Sequence, residues 1–503
     1  MKKNYKWMKL DTAANMFASI QGKDTSRIFR ISYVLKDEVK PDVLLTTVKD
    51  VIRRFPTFTS RCRSGFFWAY LEETDILPEV IEEKEMPCAI QNLGRTGGPE
   101  LRVLYYKRRI SVEISHVLTD GDGAFEFTKA VIAHYLNLHY NTDFKDPSVI
   151  STKSAANEEE IENAYKRYAN GKGVVAEKVS GTYALPHSLD PTYTKAISGM
   201  MPISDLKEHC KKYSATVTEY LCAAAILAII KSAEKPIEDY IRISVPINLR
   251  KIFPSKTLRN FACDTTLSFN PEGKVDYTLE NILNAIRGEL KNSVKKETLQ
   301  AFINANYSKT VNPVLRVVPY FIKKPVLMNG QLKDHQNNMT LIISNIGKVD
   351  YPDWMLQKID RVDIISGNGS VYGLPILSTC VTVGDYLNIC FTQCHRDTDF
   401  CREYFSIIAE DGVRVRVETS DGNGYSENEK NTSGKRCEKC NIDIGEEYTI
   451  CPLCGEKSVN TEKKIKELIT AEYPLSFVQP THQSRKFKSA PLSVERLKAY
   501  FNI

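Results

Sequence analysis

A histidine at position 116 is the residue whose surroundings best suit acid–base chemistry. It follows an alternating segment, Arg109–Ser115, and stands four residues before Asp120, which is followed by Gly121. Side chains alternate along a strand, so His116 ends one face of that segment, and the strand breaks into a loop there. A lone histidine at such a place is usually a packed core residue. With a carboxylate and a turn-permitting glycine beside it, the spacing H-x-x-x-D-G instead favours a general base.

Four cysteines near the C-terminus have the spacing of a metal site. Cys437 and Cys440 form one pair, Cys451 and Cys454 form the other, and ten residues separate the pairs. Structural Zn²⁺ sites take four such thiolates at tetrahedral corners. A segment of about 20 residues has no core of its own without a metal. We therefore expect a zinc ribbon whose zinc is structural, because four thiolates leave no open position for a substrate.

The elements that must position these residues follow an α/β pattern. Apolar periodicity predicts helices over 41–55, 203–231 and 277–294 and directly after the H-x-x-x-D-G motif, and strands over 109–115 and 240–247. A hairpin is predicted over 377–392, with Gly384 and Asp385 as its turn. The same succession of helix and strand patterns occurs in both parts of the sequence, so two similar α/β halves are the expected architecture.

Composition divides the chain into five segments. Residues 1–180 form the half with the H-x-x-x-D-G motif, and residues 181–418 form the second half. Residues 419–436 have almost no apolar side chain to bury and are expected to be a flexible linker. The zinc ribbon, 437–457, is expected to be a separate module beyond that linker. The tail, 458–503, has no readable function.

Composition also excludes several classes of protein. The 503 residues are 42% hydrophobic, enough for a large core. The 68 basic and 62 acidic residues are interleaved, so the net charge of +6 provides no concentrated field and nucleic acid is not expected as a partner. There is no signal-peptide pattern and no apolar run of about 20 residues; the longest, 220–230, reads as a buried core helix. Nine of thirteen cysteines are scattered, mostly in apolar runs, which favours a reducing, cytoplasmic location.

Around its H-x-x-x-D-G motif the chain resembles the coenzyme A-dependent acyltransferases. This superfamily includes chloramphenicol acetyltransferase, alcohol acetyltransferases and the condensation domains of peptide synthetases. The resemblance extends over roughly 7–417, and is most specific to bacterial proteins described as alcohol acetyltransferases, some of which carry a C-terminal zinc ribbon. Besides the motif, it rests on the segments 7–11, 29–35, 53–56, 245–250, 260–261 and 344–347.

The resemblance implies a fold and a reaction. The fold would be two chloramphenicol acetyltransferase-like halves, each a mixed sheet with helices. His116 would lie in a channel between them, reached by acyl-CoA from one side and by a small-molecule alcohol or amine acceptor from the other. As general base it would take the acceptor's proton during attack on the thioester, so the acyl group, expected to be acetyl, passes without an acyl-enzyme.

The resemblance also implies roles for neighbouring residues. Asp120 would turn away from the substrate and pair with an arginine, for which Arg250 is the candidate, and Gly121 would serve backbone geometry. Asn260 stands in a segment that resembles Gly-Asn-Phe but reads Arg-Asn-Phe here. Ser344 and Asn345 are further supporting candidates. The oxyanion donor stays open among Ser344, Thr266 and Ser268.

Two other functions stay open. Condensation domains carry a second histidine directly before the catalytic one, and this chain has Ser115 there, which favours a small acceptor. An amide-forming or carrier-protein-dependent condensation enzyme is the nearest alternative. A non-catalytic scaffold that binds a protein partner or nucleic acid through its zinc ribbon is the other.

Overall fold

The computed structural model describes most of the chain. The described residues are 6–20, 27–89, 93, 97–171, 181–272, 277–420, 435–437, 439–444, 448 and 450–456. The predicted tail, 458–503, and most of the predicted linker, 421–434, lie outside the described residues.

Twelve α-helices are assigned within the described residues. Their bounds are α1 Thr12–Ile20, α2 Pro41–Ile52, α3 Gly121–Tyr140, α4 Ala164–Tyr168, α5 Ile203–Lys212, α6 Val217–Ser232, α7 Leu279–Ser293, α8 Lys296–Val311, α9 Pro313–Val317, α10 Tyr320–Asn338, α11 Asp353–Leu356 and α12 Asp399–Glu410. Three short 3-10 helices are η1 Glu158–Ile161, η2 Leu249–Lys251 and η3 Gly369–Tyr372. The helices predicted at 41–55, at 277–294 and after the motif correspond to α2, α7 and α3.

Seventeen strands are assigned within the same residues. Their bounds are β1 Trp7–Lys9, β2 Ile28–Leu35, β3 Ser60–Ser64, β4 Ala69–Glu73, β5 Val80–Glu82, β6 Leu101–Tyr106, β7 Arg109–Ser115, β8 Lys195–Pro202, β9 Ile241–Asn248, β10 Ala262–Phe269, β11 Leu341–Lys348, β12 Ile359–Ile365, β13 Ile376–Val383, β14 Tyr386–Gln393, β15 Arg416–Thr419, β16 Lys435–Cys437 and β17 Ile442–Ile444. The predicted hairpin is confirmed, because β13 and β14 pair antiparallel on either side of Gly384 and Asp385.

The strands form two mixed sheets and a small third one. A five-stranded sheet has the order β12-β2-β7-β6-β5, and a nine-stranded sheet has the order β10-β9-β11-β13-β14-β8-β15-β17-β16. Each contains both parallel and antiparallel pairs, as the expected fold requires. One strand crosses over: β12, from the second half of the sequence, pairs with β2 of the first. The two sheets are therefore not built from two separate stretches of chain.

The helix predicted over 203–231 is two helices in the structure. The first, α5, ends before Ser214, whose φ of 51° is left-handed and stops the helix. The second, α6, begins with a capping box in which Thr216 and Glu219 each accept from the other's backbone N–H. Residues 219–229 of α6 are all buried, which confirms the predicted core helix.

No single helix among the described residues is long and apolar enough to cross a membrane. Only α5 and α6 taken together meet that standard of length and composition, and the two are bent by 80°.

The predicted zinc ribbon, 437–457, called the cysteine segment below, is not a separate module, contrary to the sequence-based expectation. Strand β17 pairs in parallel with β15, so the segment extends the nine-stranded sheet. Its buried side chains, among them Cys437, Ile442 and Leu453, belong to the same apolar cluster as α6 and α12. The pairing of this segment with the main sheet could not be predicted from the sequence, because the polar stretch before Lys435 is typical of a linker between two separate cores.

The geometry of the four cysteines fits one tetrahedral metal ion. The four Sγ atoms all lie within 4.8 Å of one another. Zinc–sulfur bonds of about 2.3 Å put the corners of a tetrahedron about 3.8 Å apart. Cys437 Sγ lies 3.5 Å from Cys454 Sγ, far beyond the length of a disulfide bond.

Because the cysteine segment shares the main core, loss of its metal should reach the whole chain. Replacing Cys451 and Cys454 with serine should release about one zinc per chain and lower the melting temperature of the single main transition by about 5 °C or more. Metal analysis and calorimetry measure both quantities. Cys62→Ser, also a partly exposed thiol, is the control and should release no metal. A double variant that keeps its metal, or that melts in the main transition like the unchanged protein, contradicts this expectation.

Candidate active site

His116 is held between two aromatic rings at the end of β7. The ring centroid of Phe17, on α1, lies 4.7 Å from that of His116, and the centroid of Phe29, on β2, lies 4.4 Å away. The backbone N–H of His116 donates to the carbonyl oxygen of Arg27 at 2.8 Å, which continues the β2–β7 pairing past the end of the strands. The Phe17 ring is stacked on the imidazole at an interplanar angle of 20°, and the Phe29 ring is tilted by 32° to it, while the residue as a whole is half-buried.

The environment of His116 keeps its imidazole neutral. The pKa of His116 is lowered to about 4, chiefly by burial and then by the positive charge of Arg27; the Asp120 carboxylate and the Thr119 backbone act in the opposite direction. Its Nδ1 atom is buried and has no hydrogen-bond partner within the described structure. A histidine in water has a pKa of about 6.5, so these surroundings shift the pKa of His116 downward.

Asp120 links the histidine loop to the second half of the chain. One carboxylate oxygen, Oδ1, accepts from the N–H of Gly123 at 3.1 Å and so caps helix α3. The other, Oδ2, accepts from Arg250 Nη1 at 2.8 Å and from the N–H of Phe261 at 2.8 Å. The structure therefore brings together Asp120 and Arg250, the pair expected from the resemblance.

Arg250 is itself held in place by the loop around it. Its Nε donates to the carbonyl oxygen of Thr257 at 2.9 Å, and its Nη2 donates to that of Arg259 as well as to Asp120 Oδ1. Burial opposes the charge of Arg250, but the carboxylates of Asp120 and Asp122 together with Tyr165 act against it, and the pKa of the guanidinium is raised. The pair is mostly buried, so it is a fixed link between the halves.

Asn260 holds the backbone of the histidine. Its Nδ2 donates to the carbonyl oxygen of His116 at 3.0 Å and to Asp11 Oδ2 at 3.2 Å. Asp11 is fully buried, and its Oδ1 accepts from the N–H of Ala14 at the start of α1. Asn260 therefore ties His116 to the helix that carries Phe17, which gives this residue a positioning role.

Gly121 of the motif and Gly123, two residues after it, both lie close to neighbouring groups, and Gly123 is the more constrained. A Cβ added to Gly121 would lie 2.7 Å from Ile346 Cδ1, the far end of a flexible side chain. A Cβ added to Gly123 would lie 2.1 Å from the carbonyl oxygen of Leu258, which is backbone. That carbonyl also accepts from Thr119 Oγ1 at 2.6 Å. The first turn of α3 therefore packs directly on the loop that contains Leu258.

The other predicted residues lie further from the histidine. Asn345, on β11, donates to Thr218 Oγ1 at 3.0 Å and accepts from the N–H of Gly347, so its amide holds β11 to α6. Ser344 is partly buried on the same strand. In the described part of the chain neither side chain hydrogen-bonds to His116. Thr266 is exposed on β10, and the N–H of Ser268 donates to Glu289.

Comparison with known proteins places this geometry in a wider fold. No protein family and no curated protein matches the sequence. Among solved structures, the polyketide synthase associated protein 5 of Mycobacterium tuberculosis matches with a TM-score of 0.53 and 13% identity, over 80% of this chain and 98% of that one. The chain shares its fold. At this level of identity the match shows the fold alone.

Two further structures have the same fold. The trichothecene 15-O-acetyltransferase of Fusarium sporotrichioides matches with a TM-score of 0.52 and 8% identity, over 80% of this chain and 94% of that one. The first condensation domain of the CDA synthetase matches with a TM-score of 0.50 and 10% identity, over 81% and 96%. The expected two-lobed mixed α/β fold is thereby confirmed.

Sequence reasoning missed three residues that shape the site. Phe17 carries no pattern beyond an apolar position in a short helix. Gly123 was readable as the second glycine of Asp-Gly-Asp-Gly, but only the packing on Leu258 shows its constraint. Arg27 stands two residues before the segment 29–35 on which the resemblance rests, yet nothing in the sequence indicates that its charge is buried.

The Asp120–Arg250 link can be measured by a double-mutant cycle. Asp120→Asn and Arg250→Ala should each lower the free energy of unfolding by about 3 kcal/mol, because each leaves a buried partner unpaired. Their coupling should be about 1–3 kcal/mol in denaturant titrations. Arg361→Ala is the matched control, since Arg361 is also buried but pairs with Glu418, and it should add to Asp120→Asn without coupling. Additivity of Asp120→Asn with Arg250→Ala would contradict the link.

Gly121 and Gly123 should respond differently to substitution by alanine, which adds one methyl group. Gly123→Ala should cost about 1–3 kcal/mol of stability, because the new Cβ collides with the Leu258 backbone that helps to hold the histidine loop. Gly121→Ala should cost less, since the Ile346 side chain can turn aside. Thermal melting of the two variants compares them directly. Equal losses, or a larger loss at Gly121, would show that the Leu258 contact is not the constraint.

Proposed function

We propose that the protein is an acyltransferase that moves an acyl group, such as acetyl, from acyl-CoA to the hydroxyl of a small-molecule acceptor, with His116 as general base. The observation that carries the proposal is the imidazole itself. It is neutral, fixed between two aromatic rings, and has an unpartnered Nδ1 atom where elements of both halves meet. The fold shared with an acetyltransferase supports it.

The proposed reaction needs only a neutral base and two bound substrates. The imidazole of His116 takes the proton of the acceptor hydroxyl as the hydroxyl oxygen attacks the thioester carbonyl carbon. A carbon–oxygen bond forms, and the carbonyl oxygen becomes a transient oxyanion. When the carbon–sulfur bond breaks, the coenzyme A thiolate takes the proton back from the imidazolium. The base ends neutral, and no cysteine of the chain is used as a nucleophile.

The remaining site residues are proposed to position this base. Asp120, paired with Arg250, fixes the loop, and Asn260 fixes the carbonyl of His116. Gly121 admits Ile346 beside the start of α3. The oxyanion donor stays a prediction among Ser344, Thr266 and Ser268.

The cysteine cluster is proposed to bind one structural zinc ion. Four thiolates close the coordination sphere, so the metal holds the ribbon and takes no part in acyl transfer.

The segment boundaries at 180, 418, 436 and 457 and the cytoplasmic location also stay predictions.

Thiol release from acyl-CoA tests the function directly. The protein is assayed with acetyl-CoA and longer acyl-CoAs against alcohols and amines, and the thiol freed is measured. Transfer to alcohols supports the proposal. Transfer to amines only, or only from an acyl group on a carrier protein, would favour the condensation alternative. Binding of acyl-CoA without transfer to any acceptor would favour a non-catalytic scaffold.

Replacing the base should remove the chemistry and spare binding. His116→Ala should lower kcat by about 10²–10⁴-fold, while the Kd for acyl-CoA changes little, because a base acts in the transition state. His134→Ala is the control: His134 lies on α3, pairs with Asp50 at 3.1 Å and should be silent. An unchanged kcat in His116→Ala would end the mechanism proposed here.

The acid limb of the pH profile should lie at the lowered pKa of His116. His116 is active when neutral, so activity is retained above its pKa and is lost as the pH falls through that value, about 4. With an uncharged acceptor, kcat/KM should therefore stay level between about pH 5 and about pH 7, which lie roughly one unit or more above the transition. An acid limb near 6.5, the ordinary histidine value, would show that His116 is solvated as in water. Circular dichroism at each pH separates a loss of activity from unfolding.

A further inference from the structure

Arg27 is a buried cation whose guanidinium meets no hydrogen-bond acceptor among the described residues. Only 3% of its surface is exposed, and Nε, Nη1 and Nη2 all lack a hydrogen-bond partner in the part of the chain that the structure describes. Its backbone carbonyl accepts from the N–H of His116, so it stands directly beside the proposed base. A guanidinium that has lost water and gained no acceptor is unfavourable in a folded protein.

Aromatic rings line the Arg27 guanidinium. Its Cζ lies 4.5 Å from the ring centroid of Tyr372, on η3, and 5.2 Å from that of Phe17, on α1. The ring of His335, on α10, lies 5.4 Å from Tyr372, and its Nδ1 atom is buried and unpartnered as well. Cation–π contacts replace only part of the lost hydration. The described side chains that contact Arg27 thus offer aromatic faces but no carboxylate.

Several other buried arginines in the described part of the chain are paired with carboxylates. Arg30, Arg250 and Arg361 each have a carboxylate oxygen 2.6–2.8 Å away. Arg27 has no hydrogen-bonded carboxylate among the described residues, which distinguishes it from these three.

We propose that Arg27 binds a carboxylate that one of the two substrates brings to His116, so that the enzyme selects an acidic acyl group or an acidic acceptor. The inference rests on the acyltransferase function proposed above and narrows its substrate class. A planar guanidinium with free N–H groups suits a carboxylate, which it can bind with two parallel hydrogen bonds. A neutral substrate would leave those donors unpaired, which is a strong basis for rejection.

A bound carboxylate would also act on the base. The groups whose charge acts on His116 are Arg27, which lowers its pKa, and Asp120, which raises it. The charge of Arg27 likewise lowers the pKa of His335. A carboxylate on Arg27 cancels the unfavourable charge, which leaves burial as the remaining cause that lowers the pKa of His116. The acidic substrate should therefore make His116 the stronger base, and the acid limb of the pH profile should move upward when it is bound.

Matched substrate pairs test the proposal. Succinyl-CoA is compared with butyryl-CoA as donor, and 3-hydroxybutyrate is compared with 2-butanol as acceptor. In the wild type, one acidic member should exceed its neutral counterpart by about 10²-fold in kcat/KM, the scale expected for a buried charge pair. The pair that shows the preference identifies the substrate that carries the carboxylate.

Two variants assign that preference to the guanidinium. Arg27→Met should abolish the preference, because it should lower kcat/KM for the acidic substrate far more than for its neutral counterpart, while Arg27→Lys should keep part of the preference. Calorimetric binding of the preferred acidic substrate should weaken in Arg27→Met, a readout that needs no turnover. Arg396→Met is the matched control, because Arg396 lies over Tyr193 at 4.7 Å but is exposed. It should leave both activity and preference unchanged.

The outcomes separate this inference from the function on which it rests. Transfer between neutral substrates without any preference for acidic ones would overturn the role of Arg27 and leave the acyltransferase intact. Equal loss for acidic and neutral substrates in Arg27→Met, with unchanged melting, would overturn it as well and assign Arg27 to the oxyanion. Absence of transfer with every pair would count against the proposed function, while tighter binding of an acidic ligand to wild type than to Arg27→Met would still support the anion site.

Discussion

The site depends on one buried carboxylate. Asp120 accepts hydrogen bonds from its own helix, from the Phe261 backbone and from Arg250, so its two oxygens join the first half of the chain to the second. A buried charge pair adds little stability when complete but is costly to break, because the remaining charge has no water. His116 lies four residues before Asp120 and is held through its carbonyl by Asn260, the neighbour of Phe261. The position of the proposed base is therefore set by contacts across the junction.

Local signals in the sequence predicted the motif and the elements that carry it. The strand Arg109–Ser115 and the helix after Gly121 were readable because period-two and helical patterns are properties of neighbouring residues, and Asp120 is a good helix cap. The crossing of Ile359–Ile365 into the first sheet was not readable, since strand partners are chosen by the whole fold. The same holds for the burial of Arg27, a residue that looks like an ordinary surface cation in the sequence.

The join between the cysteine segment and the main body has a physical reason of its own. Strand β15 would otherwise leave one edge of the large sheet open, and open edges invite pairing with other chains. Strands β17 and β16 continue the sheet beyond it, and the four thiols lie among these last strands. A metal held there would fix a segment too short to fold alone, and the segment in turn covers the edge. For this reason we expect the cysteine segment and the rest of the fold to unfold together.

The electrostatics of the site favour the transition state over the resting state. A pKa lowered from 6.5 to about 4 means that protonating His116 costs about 3 kcal/mol more than in water. The Asp120 carboxylate acts in the opposite direction but does not cancel the effects of burial and of Arg27. In the mechanism proposed above, negative charge reaches the site with the substrates, as the oxyanion that forms during attack and as a carboxylate bound by Arg27. The carboxylate would raise the pKa of His116 in the substrate complex, and the oxyanion would stabilise the imidazolium only in the transition state.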